Sequence, residues 1–276
     1  MDNEESLEDR AVKDALTGGM FPEDGMILVD KPMGISSFGV VAKIRGMLKA
    51  RLGHKVKVGH TGTLDPFATG LLILLTGKMT KKSAEFLKLD KEYVATMKLG
   101  YISTTGDPEG EIRPYPIHNS VEQIQGDPVS DLLLHDGHYG AQSLVCSSLV
   151  AHNPQRSVLE SVIRGFVGKI EQSPPRYSAI KINGERAYKL ARKGVEFEIP
   201  KREVEIYRID ILRYEWPELE IKCFVSSGTY IRTLAEDIGE ALGVGAYLTA
   251  LRRTRVGEYD VKDARQLDGY LNNNML

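Results

Sequence analysis

The stretch GHTGTLDPFATG occupies residues 59–70. Its first eight residues, 59–66, are not expected to form a regular helix or strand, because two glycines and a proline interrupt them. Such a loop exposes backbone N–H groups and lets another backbone approach closely. Within it, Asp65 lies between a leucine and a proline, where it could serve as a nucleophile, a general base or the start of an Asx-type turn. The stretch lacks the Gly-Lys-Ser/Thr ending of a Walker loop.

Short apolar runs on both sides of this loop predict strands and helices in mixed order. Ser36 or Ser37 can cap a helix whose apolar face is marked by Phe38, Val41 and Leu48. The predicted strands cover residues 26–29, 71–76, 92–99, 177–182, 204–215 and 219–225. The remaining predicted helices cover residues 78–88, 158–167, 185–192 and 229–242. The consecutive long strands favour antiparallel pairing, which predicts an α+β fold.

The composition is that of a soluble globular protein, with 42% hydrophobic and 27% charged residues and a net charge of −2. Two cysteines cannot build a disulfide framework, so we expect a reducing compartment. The longest apolar run, residues 71–75, is too short to span a bilayer, and the acidic N-terminus is unlike a signal or transit peptide. We therefore expect a cytoplasmic protein without a membrane segment.

Charge is distributed unevenly along the chain. Residues 1–24 hold eight acidic and two basic residues and are expected to form a flexible tail. Residues 43–57 hold six basic residues and no acid. This run could attract a polyanion, although a solvated helix face is the more common origin of such a run. Arg252, Arg253 and Arg255 form a second basic cluster.

The apolar periodicity fades over residues 112–156, which predicts an insertion or a long loop. The segment includes His135, His138, Cys146 and His152, which are side chains of types that bind zinc. Their spacing fits no standard site, so we expect a flexible insertion and no metal.

Five short motifs occur in a fixed order along the chain. They are DKPMG at residues 30–34, GHTGTLDPFATG at 59–70, KEY at 91–93, SGTYIR at 227–232 and LRR at 251–253. Together they resemble the TruB family of pseudouridine synthases, which isomerise a uridine in the T loop of tRNA. The resemblance runs from about residue 26 to 267, apart from residues 112–156. It implies a pseudouridine-synthase-like catalytic domain over residues 25–276, with a mixed, largely antiparallel central sheet flanked by helices.

The resemblance also implies catalytic roles for three residues. Asp65 matches the aspartate nucleophile of the family, and Arg232 matches the arginine that pairs with it. Tyr93 matches the tyrosine that packs on the target base and is thought to transfer a proton. Taken singly, each has a plainer interpretation, and Arg232 could pair with Glu236 at helical i, i+4 spacing.

Substrate-binding roles follow from the same resemblance. His60 matches a histidine that fills the space left in the T loop by the extruded nucleotide. Tyr230 and Leu251 match residues that line the base pocket. Lys31 and Pro32 belong to a motif near the site that we interpret as structural.

The implied reaction is redox-neutral and needs no external group, so we expect neither a cofactor nor a metal. A carboxylate could act covalently on the sugar or assist removal of a ribose proton through a glycal-like species, and the residues leave both routes open. A neighbouring arginine is expected to lower the pKa of the Asp65 carboxyl. Phosphate contacts from the two basic clusters would offset the cost of extruding the base.

The partner expected from the resemblance is the T stem-loop of tRNA, bound by a monomer. Many members of the family carry a C-terminal RNA-binding domain of the PUA type. Residues after Leu267 leave no room for one, so we expect none, together with salt-sensitive RNA binding. The alternative function is an RNA-folding chaperone for the tRNA elbow, with modification secondary. A hydrolytic glycosidase is disfavoured, because a pair of carboxylates flanking a bond is not apparent.

Overall fold

Alternating and continuous apolar segments build the central sheet. The computed structural model describes residues 22–116, 153–178, 180–182 and 184–272. In these ranges ten strands form one sheet, and two short strand pairs lie apart from it. The sheet contains β1 (Gly25–Lys31), β2 (Val58–His60), β3 (Thr69–Thr76), β4 (Lys91–Leu99), β7 (Gly168–Gln172), β10 (Arg202–Glu215), β11 (Glu218–Val225), β12 (Ala246–Val256), β13 (Tyr259–Asp260) and β14 (Arg265–Gln266). The two short pairs are β5 (Tyr101–Ser103) with β6 (Ile112–Pro114) and β8 (Lys181–Ile182) with β9 (Glu185–Arg186).

The strand order confirms the predicted sheet type. The main path is β14-β1-β3-β12-β4-β11-β10-β7, with β2 paired to β3 and β13 paired to β12. The pairs β1–β14 and β3–β12 are parallel, and the remaining neighbours along the path are antiparallel. The sheet is therefore mixed and largely antiparallel, and the helices that flank it complete an α+β fold.

The helices of the described residues include one long element next to the loop at residues 59–70. Ser36 caps it by accepting a 3.0 Å hydrogen bond from the Gly39 N–H, and Gly53 ends it in the left-handed conformation at φ 76°. The helices are α1 (Ser37–Leu52), α2 (Ser83–Leu87), α3 (Arg156–Gly165), α4 (Ala187–Arg192), α5 (Ile231–Ala241) and α6 (Leu267–Asn272), with 3₁₀ turns at Gly77–Lys82 and Val261–Asp263.

The core lies on both faces of the sheet. Along β3, Leu72 and Leu74 point into the larger apolar cluster, which also contains buried residues of α1, α3 and α5. The alternate residues Leu71, Ile73 and Leu75 belong to a second cluster that includes Met26, Leu28 and Phe86. A strand that is buried on both faces reads as a continuous apolar run, which is why β3 was predictable from sequence.

Three predicted helices differ in the structure. Over residues 78–88 the chain forms a 3₁₀ turn followed by the five-residue α2. Over 185–192 a short strand comes first and the helix begins at Ala187. In α1, Val41 and Leu48 are buried as predicted, but Phe38 is exposed. Phe38 lies at the edge of the apolar face, beside Ser37, whose side chain is buried instead.

Several strands were also mispredicted. The short β2, which includes Gly59 and His60, and the five-residue β7 were not predicted. The strand expected over 177–182 is reduced to the two residues of β8. The eleven-residue β12 was not predicted, because its arginines suggested an exposed cluster. Hydrogen bonding to β3 and β4 places β12 at the centre of the sheet, where it buries part of this charge.

The last residues of the predicted tail contact the folded body. The Thr76 hydroxyl donates a 2.8 Å hydrogen bond to the Pro22 carbonyl, and the Asp24 carboxylate accepts a 2.6 Å bond from the Lys78 N–H. Residues 1–21 lie outside the described residues. Most of the predicted insertion, residues 117–152, also lies outside them, and so do the possible zinc donors His135, His138, Cys146 and His152.

The junction between β3 and β12 provides a test of this packing. Gly70 has a φ of +101°, and a Cβ added there would lie 2.3 Å from the Arg253 carbonyl oxygen. We expect Gly70→Ala to lower the free energy of unfolding by about 3 kcal/mol, because strain and overpacking add. Urea unfolding checks this. The matched control Gly46→Ala lies in the exposed interior of α1 with open space around it, and should raise the free energy of unfolding by about 0.5–1 kcal/mol. Equal effects of the two substitutions would contradict the packing.

Candidate active site

The loop that carries Asp65 is fixed from both sides. On one side, the Ser37 hydroxyl accepts a 2.8 Å hydrogen bond from the Leu64 N–H and donates a 2.9 Å bond to the Leu64 carbonyl. On the other side, the Pro66 carbonyl accepts a 2.8 Å bond from the Gly34 N–H. The residues before and after Asp65 are thus bonded to the first turn of α1 and to the turn that precedes it.

Lys31 is a completely buried cation at the same place. Its ammonium donates to the carbonyls of Ile35 at 2.7 Å, Pro32 at 2.9 Å and Pro66 at 3.2 Å. Burial lowers the pKa of Lys31 to about 8, and the negative charge of Asp65 opposes that shift. These contacts give Lys31 a structural role next to the site.

Asp65 forms an ion pair with Arg232. The Arg232 Nε lies 3.1 Å from Asp65 Oδ2. The arginine side chain is only 4% exposed, whereas the aspartate side chain is 32% exposed. Arg232 comes from the first turn of α5, where Tyr230 is the N-cap residue. The Asp65 carboxylate is therefore accessible from solvent, whereas the Arg232 guanidinium that it contacts is buried.

The remaining nitrogens of Arg232 are also occupied. Its Nη1 lies 3.3 Å from Asp107 Oδ2 and donates a 2.9 Å bond to the Thr105 carbonyl. Its Nη2 donates a 2.9 Å bond to the Tyr177 carbonyl. The ion-pair partners of Arg232 are thus Asp65 and Asp107, in place of the helical neighbour considered from sequence.

Two opposing effects set the pKa of Asp65. Burial disfavours the charged carboxylate and is the larger effect, and the nearby Asp107 acts in the same direction. The guanidinium of Arg232 and the ammonium of Lys31 favour the charged form. The net result is a pKa above the ordinary 3.8. Arg232 lowers the pKa of Asp65, as expected from sequence, but burial outweighs this effect.

Tyr93 on β4 lies opposite a second buried arginine. Arg253 is its partner across the β4–β12 pair, which places the charge of the guanidinium near the phenol. Arg253 also donates a 2.8 Å bond to the Leu71 carbonyl and a 3.1 Å bond to the Gly62 carbonyl. Burial raises the pKa of Tyr93, and the charge of Asp65 contributes to that rise. The phenol is therefore protonated at neutral pH and lies within electrostatic range of Asp65.

The second basic cluster predicted from sequence is divided by this arrangement. Arg253 is buried, and Arg252 forms an ion pair with Asp30 at 2.8 Å. Arg255 is exposed. The prediction that all three arginines would contact phosphates was wrong for Arg253, because the alternation of β12 turns its side chain into the protein.

His60 belongs to the same loop and is partly buried. Its Nδ1 accepts a 3.4 Å hydrogen bond from the Gly62 N–H. Burial lowers the pKa of His60, and the positive charges of Arg253 and Arg186 lower it further. The imidazole is therefore neutral at neutral pH.

Tyr230 and Leu251 lie on the two elements that carry the arginines. The backbone of Tyr230 forms two hydrogen bonds with the buried Gln172 side chain, at 3.0 and 3.3 Å. The Arg202 guanidinium carbon lies 4.7 Å from the centre of the Tyr230 ring. Leu251 is two residues before Arg253 on β12, so both side chains are on one sheet face, and Leu251 is buried.

Comparison with known proteins places this site in a family. Residues 47–135 and 137–231 match the family model described as TruB family pseudouridylate synthase (N terminal domain). Residues 232–272 match the tRNA pseudouridylate synthase B C-terminal domain. The chain belongs to the TruB family.

Individual relatives in this family are similar over most of the chain. A tRNA pseudouridine synthase B of Phocaeicola vulgatus is 40% identical over 251 residues, which cover 91% of this chain and 93% of that protein. A tRNA pseudouridine synthase B of Bacteroides fragilis is 42% identical over 249 residues, which cover 90% and 92% of the two chains.

A solved structure shows a similar fold. One chain in a crystal structure of a Cbf5-Nop10-Gar1 complex superposes with a TM-score of 0.61 at 26% sequence identity. The match covers 100% of this chain and 62% of that chain. The present protein thus spans about three fifths of the length of that structural relative.

Three residues of this TruB-family site were missed from sequence. Asp107 lies in a turn that sequence analysis identified only as a turn, and an aspartate is common there for purely local reasons. Arg253 was assigned to an exposed cluster. Gln172 ends an edge strand and gives no signal of its own. In all three cases the contact partner is distant in sequence.

Neither a metal centre nor a membrane span is found in the described part of the chain. There, histidine, cysteine, aspartate and glutamate form no group of three that could hold a metal ion. No helix among the described residues is long and apolar enough to cross a membrane.

The pairing of Arg232 with two carboxylates predicts a large stability effect at Asp107. We expect Asp107→Ala to lower the free energy of unfolding by about 3 kcal/mol, because it leaves a buried guanidinium with one ionic partner. Chemical denaturation measures this. The control Asp210→Ala breaks an exposed ion pair with Arg208 and should cost less than about 1 kcal/mol. A loss at Asp107 as small as that of the control would contradict the paired-carboxylate arrangement.

Proposed function

We propose that this protein converts uridine to pseudouridine at position 55 in the T loop of tRNA. The observation that carries the proposal is the accessible Asp65 carboxylate resting on the buried guanidinium of Arg232. Family membership supports pseudouridine formation, and the relatives named tRNA pseudouridine synthase B support tRNA as the substrate. The T-loop position and the role of Asp65 are our inference from the motifs and the geometry.

The proposed reaction begins with extrusion of the target base from the folded loop. Extrusion costs roughly a few kcal/mol, and contacts to the RNA backbone offset it. The glycosidic bond between N1 of uracil and C1′ of ribose then breaks. Asp65 either attacks C1′ and forms a covalent intermediate, or assists removal of a ribose proton to give a glycal-like species.

The detached uracil next rotates within the pocket and rejoins the sugar through C5. The new bond joins C5 to C1′; in the covalent route the Asp65–C1′ bond breaks at this point, and in the glycal route the ribose regains the proton it lost. The proton on C5 is then lost and N1 gains a proton, so atoms and electrons balance without an added group. We assign the Tyr93 phenol, protonated and directed by Arg253, to stacking on the base and to this proton transfer. His60, Tyr230 and Leu251 would bind the substrate.

The surface around the site supports an RNA substrate. The sequence from residue 31 to residue 64 contains seven lysines and arginines and no acidic residue. Among them, Lys43, Lys49, Lys55 and Lys57 are exposed. Cations on one side of a site attract the phosphates of a polyanion and guide its approach. We further propose that the protein acts in the cytoplasm as a monomer, without a cofactor.

Substitution of the proposed nucleophile tests the reaction. Asp65→Asn should reduce pseudouridine formation in an unmodified tRNA transcript by about 10³-fold or more, because an amide cannot act as the nucleophile or base. Chemical labelling of pseudouridine at single-nucleotide resolution measures it, and a filter-binding assay should show tRNA affinity within about threefold of wild type.

The control for this test is Asp263→Asn, an exposed position in the second 3₁₀ turn, which should leave activity unchanged. Normal turnover by Asp65→Asn would refute the nucleophile assignment. Full rescue of tRNA folding by the inactive variant would favour the chaperone function, and free uracil among the products would indicate a glycosidase.

The pKa of Asp65 gives a pH test. The carboxyl must be ionised to react, so kcat/KM should fall as pH is lowered through a pKa that lies above 3.8. Arg232→Gln removes the charge that holds this pKa down and should move the acid limb to higher pH, whereas Arg232→Lys should keep it nearer the wild-type position. Single-turnover rates measured between pH 4.5 and 8 give the position of the acid limb for both variants, and circular dichroism verifies that each variant is folded. An acid limb that moves to lower pH in Arg232→Gln would contradict the ion pair.

A further inference from the structure

Two large apolar side chains are exposed beside the loop that carries Asp65. Phe38, in the first turn of α1, is 65% exposed, and Met33, in the turn before it, is 64% exposed. A pair of exposed large apolar side chains close to a site is a common mark of a binding surface. We refer to Phe38 and Met33 as the apolar pair.

The apolar pair is attached to the site through its immediate neighbours. Ser37, next to Phe38, forms two hydrogen bonds with Leu64. Gly34, next to Met33, donates to the Pro66 carbonyl. Each member is therefore one residue away from a contact with a residue adjoining Asp65, so a ligand of the apolar pair would lie beside the substrate.

The helix places cations along the same face as Phe38. Positions 45 and 49 follow position 38 by seven and eleven residues, which places each of them within about 20° of Phe38 around an α-helix. The Arg45 guanidinium carbon lies 5.9 Å from the centre of the Phe38 ring, and Arg45 is fixed by a 3.1 Å bond to the Val58 carbonyl. Lys49 is exposed further along this face.

The charge of the surroundings identifies the class of partner. The sequence contains no aspartate or glutamate from residue 31 to residue 64. An apolar protein surface would not require such a one-sided charge, whereas a nucleic acid presents both aromatic bases and phosphates. A ring that is flanked by an arginine and open to solvent suits stacking on an unpaired base.

We propose that Phe38 and Met33 form a stacking platform for an unpaired nucleobase of the substrate tRNA other than the target uridine, while Arg45 and Lys49 face the adjoining phosphates. The proposal rests on the function proposed above and adds a position that contributes to recognition. Stacking would hold the loop in place while the target base is extruded beside it.

Kinetics of Phe38 variants test the platform. Phe38→Ala should raise KM for unmodified tRNA about fivefold or more and leave kcat within twofold, because base–aromatic stacking is lost and the reacting groups are untouched. Phe38→Tyr should restore KM. The control Leu212→Ala removes another exposed apolar side chain, on β10, and should leave both constants unchanged.

Fluorescence gives a direct readout of stacking. The chain has one tryptophan, Trp216, and its fluorescence in a protein without the added indole gives the background signal. In the double variant Phe38→Trp, Asp65→Asn, the added indole should be quenched on binding unmodified tRNA, beyond the change seen with Asp65→Asn alone. Met33→Ala in this background should reduce the quenching.

The outcomes separate the two proposals. If wild-type protein forms no pseudouridine, the proposed function fails. If it does form pseudouridine while Phe38→Ala keeps the wild-type KM and the added indole is not quenched, the platform is refuted and the function stands. If light scattering shows that wild type is a dimer and Phe38→Ala a monomer with unchanged KM, the apolar pair joins two copies of the chain, which also refutes the platform.

Discussion

Burial of the Arg232 guanidinium is the constraint on which the site depends. A guanidinium deprived of water is costly unless charges and hydrogen-bond acceptors surround it. The fold supplies two carboxylates, Asp65 and Asp107, and two backbone carbonyls. These partners come from three segments that are distant in sequence: the Asp65 loop, the turn at residues 104–110 and the segment that contains Tyr177. Satisfying one side chain therefore brings all three segments to α5. The contacts that compensate the buried Arg232 guanidinium are therefore the same contacts that assemble the site.

The same principle explains how an irregular loop becomes rigid. A loop without regular structure leaves backbone carbonyls that need donors when they are buried. Arg253 donates to the Gly62 carbonyl, and Lys31 donates to the Pro66 carbonyl. Each cation also bonds a neighbouring segment, so the loop is connected to β3 and to the start of α1. Buried cations therefore act together with Ser37 of α1 to fix the position of Asp65.

Sequence analysis succeeded where the signal is local. The capping serine of α1, the continuous apolar run of β3 and the interrupted loop around Asp65 are each encoded by adjacent residues, and the motifs identified the family. The predictions failed where the outcome depends on which face of a strand or helix is buried. The face of β12 that carries Arg253 is set by pairing with β3 and β4, and the exposure of Phe38 is set by Ser37 binding the loop. Neither is visible in spacing alone.

The cations within residues 31–64 divide into two groups, one that stabilises the protein interior and one that is exposed to solvent. Lys31 is completely buried and Arg45 is bonded to a backbone carbonyl, so these two shape the protein. The lysines at 43, 49, 55 and 57 remain exposed. No acidic side chain lies among them in the sequence, and the Glu23 carboxylate, 2.9 Å from His54 Nε2, is an acid that approaches them from outside the segment. The exposed lysines can attract a polyanion to the surface of this segment, while buried cations keep the Asp65 carboxylate oriented and partly offset the cost of its ionisation.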